Sequence, residues 1–384
     1  IERAMAWRGA EPAWVNDADW EWYGTWVDPE VQKLVLLDMA CEAGVKLLLH
    51  SLVVDAIVQD GRLRGVVVEN KSGRRAVLAQ VTVDATGDAD VAALAGAPFE
   101  SRGRAGFAPG LHSLFNGVDM ERALQFLETH RDQYRGLPAA SVPEMRRRME
   151  RGWSWGVTGY YDLVKQATEE GILEPGQVRE DRGLGFMWLR DDLVQVWSIG
   201  PGAPVDIVDV DDLTRAEVDS RLRLGRVARF FARYVPGFEN ARLIASPAQI
   251  GLRESRRVRG EYVLTAADVY GSVRFPDCIG LCAGHDEADR VAQGFSIPYR
   301  CLVPLEVDNL LVAGRCISCE APTALNAIRG IIGGVTTGEA AGTAAALACR
   351  SSRTPRQVDI SVLQGMLRKQ GVILGSSGRT GASG

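Results

Sequence analysis

The chain has 384 residues, long for a single hydrophobic core, so two domains are expected. Hydrophobic residues make up 46%, charged residues 24%, and 42 glycines supply many tight turns, a profile expected of a globular α/β protein. A net charge of −5 gives no electrostatic reason for binding nucleic acid. No apolar run approaches the ~18 residues that span a bilayer, and the opening IERAMAWRGA lacks the apolar core of a signal peptide.

Residues 1–26 hold five of the nine tryptophans (Trp7, Trp14, Trp20, Trp22 and Trp26), rings that need a surface to pack on: a domain contact or the wall of a substrate cavity. Asp28 as cap, Pro29 in the first turn and Gly44 as terminator frame a helix through Val31, Leu34, Val35 and Met39. Val45 to Leu52 reads as a strand. A β-meander follows, in segments around Val53–Val58, Gly65–Glu69 and Ala76–Val83, with turns at Asp60-Gly61 and Lys71-Ser72-Gly73. Its last strand runs into Asp84-Ala85-Thr86-Gly87-Asp88, and a short helix from Ala89 to Ala95 stops at Gly96.

Further on, Gly185–Arg190 and Leu193–Ile199 form a hairpin about Asp191-Asp192. Thr214-x-x-Glu217 has the form of a capping box, opening a helix that runs to the breaker Pro236-Gly237. Arg253 to Arg259 contains four arginines. Leu310–Ala313 is an apolar run that ends at once on Gly314-Arg315, and the Ala-rich segment Glu339–Ala348 favours helix. Gly330, Gly333, Gly334 and Gly338 lie between them. Small residues beside a helix start let a backbone approach a flat ligand and aim N–H groups at it; a buried strand packed on a buried helix is the alternative. The final GSSGRTGASG reads as a flexible tail.

Five cysteines fall at Cys278-x3-Cys282, Cys301 and Cys316-x2-Cys319, which raises metal ligation or dithiol chemistry; their apolar and small neighbours favour buried thiols instead, and no metal is expected. The odd total of seven cysteines suits reduced thiols, hence a cytoplasmic location. His285, one of four histidines, stands beside Asp286 and can titrate near neutrality. Neither Gly-x-Gly-x-x-Gly nor a Gly-Lys-Thr phosphate loop occurs.

Taken together, the segments VDATGDADVAALAGAP (83–98), RESRRVRGEYVLT (253–265), IPYR (297–300), NLLVAGRCIS (309–318) and TGEAAGT (337–343) resemble the FAD-dependent oxidoreductases of the glutathione-reductase-like class. That resemblance implies an α/β fold: a glutathione-reductase-like FAD-binding domain, incomplete for want of its N-terminal glycine-rich βαβ unit, with an inserted α+β substrate domain. The division expected is 1–100 for the first part of the FAD-binding domain, 101–270 for the substrate domain, 271–350 for the second part, and 351–384 for a C-terminal helix and tail. The start on Ile1 rather than Met agrees with an expected missing upstream segment.

The resemblance further implies Thr86, Gly87 and Asp88 beside FAD, Val54 by the adenine, and Gly314 and Arg315 near the pyrophosphate or ribityl chain. The helix after Arg329, with Gly333 and Gly334 at its start, would face the flavin pyrimidine edge. The expected chemistry is hydride transfer between a small organic substrate and flavin N5, with His285 moving a proton and Arg256 and Arg300 orienting the substrate. A homo-oligomer or a partner chain supplying the missing segment is expected as a partner. The other reading is a non-catalytic subunit or truncated remnant that acts through such a partner without binding FAD alone.

Overall fold

A computed structural model of the chain describes residues 29–137, 141–179, 181–283 and 294–375. The tryptophan-rich start, His285 and the glycine-rich tail lie outside the described residues. The chain forms two compact units, one from residues 29–47, 108–205 and 209–252, the other from 48–107, 206–208 and 253 onward.

The first unit is built on a six-stranded antiparallel sheet. Its order is Arg242–Ala245, Leu111–Asn116, Leu193–Ile199, Leu184–Arg190, Trp155–Gly159, Tyr134–Leu137. The expected hairpin about Asp191-Asp192 is its centre, with Asp191 in the left-handed region that such turns use. Val194 and Val196 alternate inward, as a strand with one buried face requires. They pack in a core of rings, Trp155 on Phe186, Phe186 on Phe238 and Phe238 on Phe231.

The helix Val210–Tyr234 lies in the same unit and starts one turn earlier than the capping-box pattern predicts. Asp209 is the cap, accepting the N–H groups of Asp211 and Asp212 at 3.0 and 2.9 Å. Thr214 sits inside the helix and donates to the Val210 carbonyl, while Glu217 accepts the Ile250 N–H at 2.6 Å. An aspartate at the true boundary outcompetes a threonine five residues on, because only the former meets the unpaired N–H groups. The helix ends before Pro236, as expected.

The second unit contains the meander, Leu52–Gln59, Arg62–Asn70 and Gly73–Leu78, paired antiparallel in that order. The Asp60-Gly61 turn is confirmed, both residues having positive φ. The third strand is shorter than expected. Thr82–Asp84 is a separate strand, parallel to Leu310–Val312 in the register Thr82 to Leu310, Val83 to Leu311, Asp84 to Val312. Around it pack the helices Asp90–Leu94, Thr323–Ile328, Ile331–Ser351 and Ile360–Lys369 and the strand pair Cys278–Cys282 with Phe295–Pro298.

Residues 45–51, expected as part of a strand, have no regular structure, and the strand begins at Leu52. Leu48 and Leu49 are 51% and 66% exposed. A strand needs a neighbour for its backbone groups, and among the described residues none pairs with this stretch.

Candidate functional site

The two parallel strands of the second unit bring their C-terminal turns side by side. These are Asp84–Asp88 and Gly314–Cys316, far apart in the chain but adjacent through the Val312–Asp84 register. Ligands of α/β proteins gather at this end of parallel strands.

Asp84 is buried and organises its own turn. One carboxylate oxygen accepts the Thr86 N–H at 3.0 Å and the Thr86 hydroxyl at 2.7 Å, and the other accepts the Ala92 N–H at 2.9 Å. The Thr86 oxygen in turn accepts the Asp90 N–H at 3.0 Å. The side chains of Asp84 and Thr86 therefore serve the turn and the first turn of the Asp90–Leu94 helix.

Gly87 has φ 79°, and a Cβ there would lie 2.9 Å from Nη2 of Arg315. The guanidinium thus occupies the space that the glycine leaves. Arg315 pairs with Asp88 at 2.8 Å, the Ser255 hydroxyl donates to the same carboxylate oxygen at 2.5 Å, and Arg315 also reaches the Ser255 oxygen at 3.4 Å. Next to this triangle Arg256 donates to the Asp88 carbonyl at 2.8 Å and pairs with Asp90. Burial raises the Asp90 carboxyl above the usual aspartate range, against the opposing pull of Arg256.

Gly314 also has φ 79°, but a side chain there would meet nothing within 4 Å. Its N–H donates to Thr337 Oγ1 at 2.9 Å, and the Thr337 hydroxyl donates to the Gly333 carbonyl at 2.7 Å. One buried hydroxyl therefore ties the turn to the first turn of the helix Ile331–Ser351. Gly333 is required by packing, since its Cβ would sit 1.9 Å from the Ile328 carbonyl oxygen, whereas Gly334 faces open space. Gly330 caps the helix without a side-chain bond, and Ile331, Ile332 and Val335 are 66%, 55% and 58% exposed.

The sequence-predicted residues thus separate into groups. Gly87, Asp88, Arg256 and Arg315 are joined by direct contacts, Thr86 is held within its own turn by Asp84, and Gly314, Gly333 and Gly334 are linked by Thr337 and the helix. Arg329 donates to Asn326 at 3.1 Å and lies over the Phe107 ring. Val54 falls at the bulge between Val53 and Asp55 in the meander. Arg300 belongs to another network: Asp277 holds its guanidinium through two contacts of 3.0 and 3.3 Å, and the guanidinium lies 5.0 Å from the Tyr262 ring centre.

Ser255 and Thr337 were not singled out from the sequence. Hydroxyl residues carry no spacing signal, and only the fold brings them to their partners. No disulfide joins the cysteines among the described residues; Cys278, Cys282, Cys301, Cys316 and Cys319 are buried, and burial pushes the Cys316 and Cys319 thiols up to about 12. A dithiol needs thiolate near neutrality, so the Cys316-x2-Cys319 pair is poorly suited to it. Among the described residues no three His, Cys, Asp or Glu side chains converge as a metal site.

An open glycine turn, an uncapped helix start and exposed apolar side chains beside it are what a large flat ligand requires. The family model described as FAD dependent oxidoreductase matches residues 1–367, and the chain belongs to that family. FAD is the cofactor this family defines. The open faces of Gly314 and Gly334 and the apolar surface at Ile331, Ile332 and Val335 leave room for a flat group of that kind.

Solved structures that the chain is similar to include a geranylgeranyl bacteriochlorophyll reductase-like protein from Thermoplasma acidophilum, 12% identical, covering 91% of this chain and 62% of its own, with a TM-score of 0.40. The flavin-dependent brominase Bmp2 is 13% identical over 90% of this chain and 60% of its own, with a TM-score of 0.38. A p-nitrophenol 4-monooxygenase from Pseudomonas putida is 10% identical over 89% and 55%, with a TM-score of 0.33. This chain spans about six tenths of the length of such structures. No curated protein matches it.

Proposed function

We propose that this chain is the larger part of a glutathione-reductase-like, FAD-dependent oxidoreductase acting on a small organic substrate. Bound FAD would supply the hydride acceptor or donor at flavin N5. The protein's part is to seat that group and to orient the substrate. Gly314, with its N–H already satisfied by Thr337, leaves its α-carbon face clear for close approach. The backbone N–H groups at the start of Ile331–Ser351 present the positive end of a 21-residue helix, which favours an electron-rich group beside them. Arg315, Asp88 and Thr86 border the same turn pair, and Val54 and Arg329 are assigned to more distant parts of the cofactor.

Arg256 and Arg300 are the proposed cations for an anionic or polyhydroxylated substrate, each held in place by an aspartate. His285 is the proposed group for proton transfer. The odd total of seven cysteines motivates a cytoplasmic location within this reading, and no helix among the described residues is long and apolar enough to cross a membrane. The observation that carries the proposal is the open Gly314 turn tethered to an uncapped helix start. Purified full-length protein should show the visible flavin absorption band, or acquire it on adding FAD; a protein that neither carries nor takes up FAD overturns the reading. His285→Ala should lower turnover at least tenfold with FAD content unchanged.

A second reading is favoured by the exposed Leu48 and Leu49, which lie in an apolar stretch without a strand partner. Here the chain is a non-catalytic subunit or truncated remnant that does not bind FAD alone and acts through a partner chain. Titrating FAD into this chain and into the full-length protein separates the two cases. Uptake by the full-length protein supports the first reading, and no uptake by either favours the second.

A further inference from the structure

We infer that Ser255 is a positioning residue for the cofactor site: through Asp88 it holds the Arg315 guanidinium against Gly87. The inference rests on the reading above that FAD lies against these two turns. Ser255 belongs to neither turn, yet it completes the triangle with Asp88 and Arg315. Its hydroxyl gives its proton to Asp88 and takes a bond from Arg315, so one oxygen serves as donor and acceptor at once. The carboxylate oxygen that accepts from Ser255 is the one that pairs with Arg315. Without the serine, Arg315 is held by Asp88 alone, and a long side chain regains rotational freedom.

The base on which Ser255 stands is rigid. Its neighbours Glu254 and Arg257 are a buried ion pair at 3.0 Å, each 4% exposed. Glu254 also accepts the Phe107 N–H at 2.9 Å and pairs with Arg102 at 3.3 Å, and Arg257 Nε donates to the Cys319 carbonyl at 3.1 Å. Charges buried this way move little, because each partner would be left unpaired. Arg256, the residue on the other side, is held by Asp90 and the Asp88 carbonyl. The serine therefore transmits a fixed position from the interior of the unit to a side chain at its ligand-facing turns. Gly87 completes the device by leaving room for the guanidinium.

The test uses full-length protein, with FAD stripped and titrated back while flavin fluorescence is followed. Ser255→Ala should weaken FAD binding about tenfold, the size expected for one bond to a charged group. It should also alter the visible circular dichroism of the bound flavin, with little change in the melting temperature of the stripped protein. Asp88→Asn should act in the same direction, and the double variant should be no weaker than the worse single one, because both act through Arg315. Additive losses, or unchanged FAD affinity in Ser255→Ala, overturn the inference while the flavin reading stands. If Ser255→Ala does not fold, Asp88→Asn and Arg315→Ala carry the same cycle. Unaltered parent protein that binds no FAD removes the reading and the inference together.

Discussion

Gly87 and Gly314 share a φ of 79° and differ in what lies over them. Arg315 covers Gly87, so Gly87→Ala combines left-handed strain of about 1–2 kcal/mol with a collision, and should lower the melting temperature by several degrees. Gly314 is open, so Gly314→Ala should carry only the strain in the stripped protein but weaken FAD binding, which a paired thermal scan and titration would show. Thiol chemistry offers a separate check. Cys41 and Cys349 are exposed and the other five cysteines buried, so a thiol reagent should modify two groups quickly and the rest only after unfolding. Asp90 supplies a pH test. Its folded-state pKa is raised, so the neutral form favours folding, and that contribution is fully present below about 4 and is lost as pH rises through the folded value. The stability of the parent relative to Asp90→Asn should therefore fall as pH rises through that window; a flat difference would remove Asp90 from it.

At the level of elements, the junction of turn and helix depends on Thr337. Thr337→Val keeps the shape but removes the bonds to Gly314 and Gly333, leaving the half-buried Gly314 N–H without its partner at about 1 kcal/mol. Denaturant unfolding should show that loss. The long helix of the first unit depends instead on Asp209, whose replacement by Ala should remove about 1 kcal/mol. By contrast Thr214→Ala should be nearly neutral, since Thr214 is a turn inside the helix. A larger effect at Thr214 than at Asp209 would restore the capping-box boundary.

For the whole molecule, the consequence of two compact units lies in how they respond to ligand. The turns proposed to face FAD and the Ile331–Ser351 helix all fall within the second unit. FAD at a hundred times its dissociation constant stabilises whatever binds it by about 2.7 kcal/mol. Calorimetry of the full-length protein should therefore resolve a transition that rises with FAD and one, from the Trp155–Phe186–Phe238 core, that responds less. Equal shifts of a single transition would mean that the units unfold together.

Local chemistry is legible from the chain because short-range patterns set it: the Asp60-Gly61 turn, the Asp191-Asp192 hairpin and the stop at Pro236 all lie where residue type alone demands them. The resemblance implies both the Asp84–Asp88 and the Gly314–Cys316 turns beside FAD, but their pairing is not a local pattern, since 225 residues lie between Asp88 and Gly314. Tertiary structure decided the rest. It gave Gly87 to Arg315, assigned Thr86 to its own turn, put Arg300 with Asp277, and left residues 45–51 without a strand. The physical reason is common to all four. A side chain's hydrogen-bond capacity is limited, and which partner takes it depends on residues that only the folded chain brings within about 3 Å.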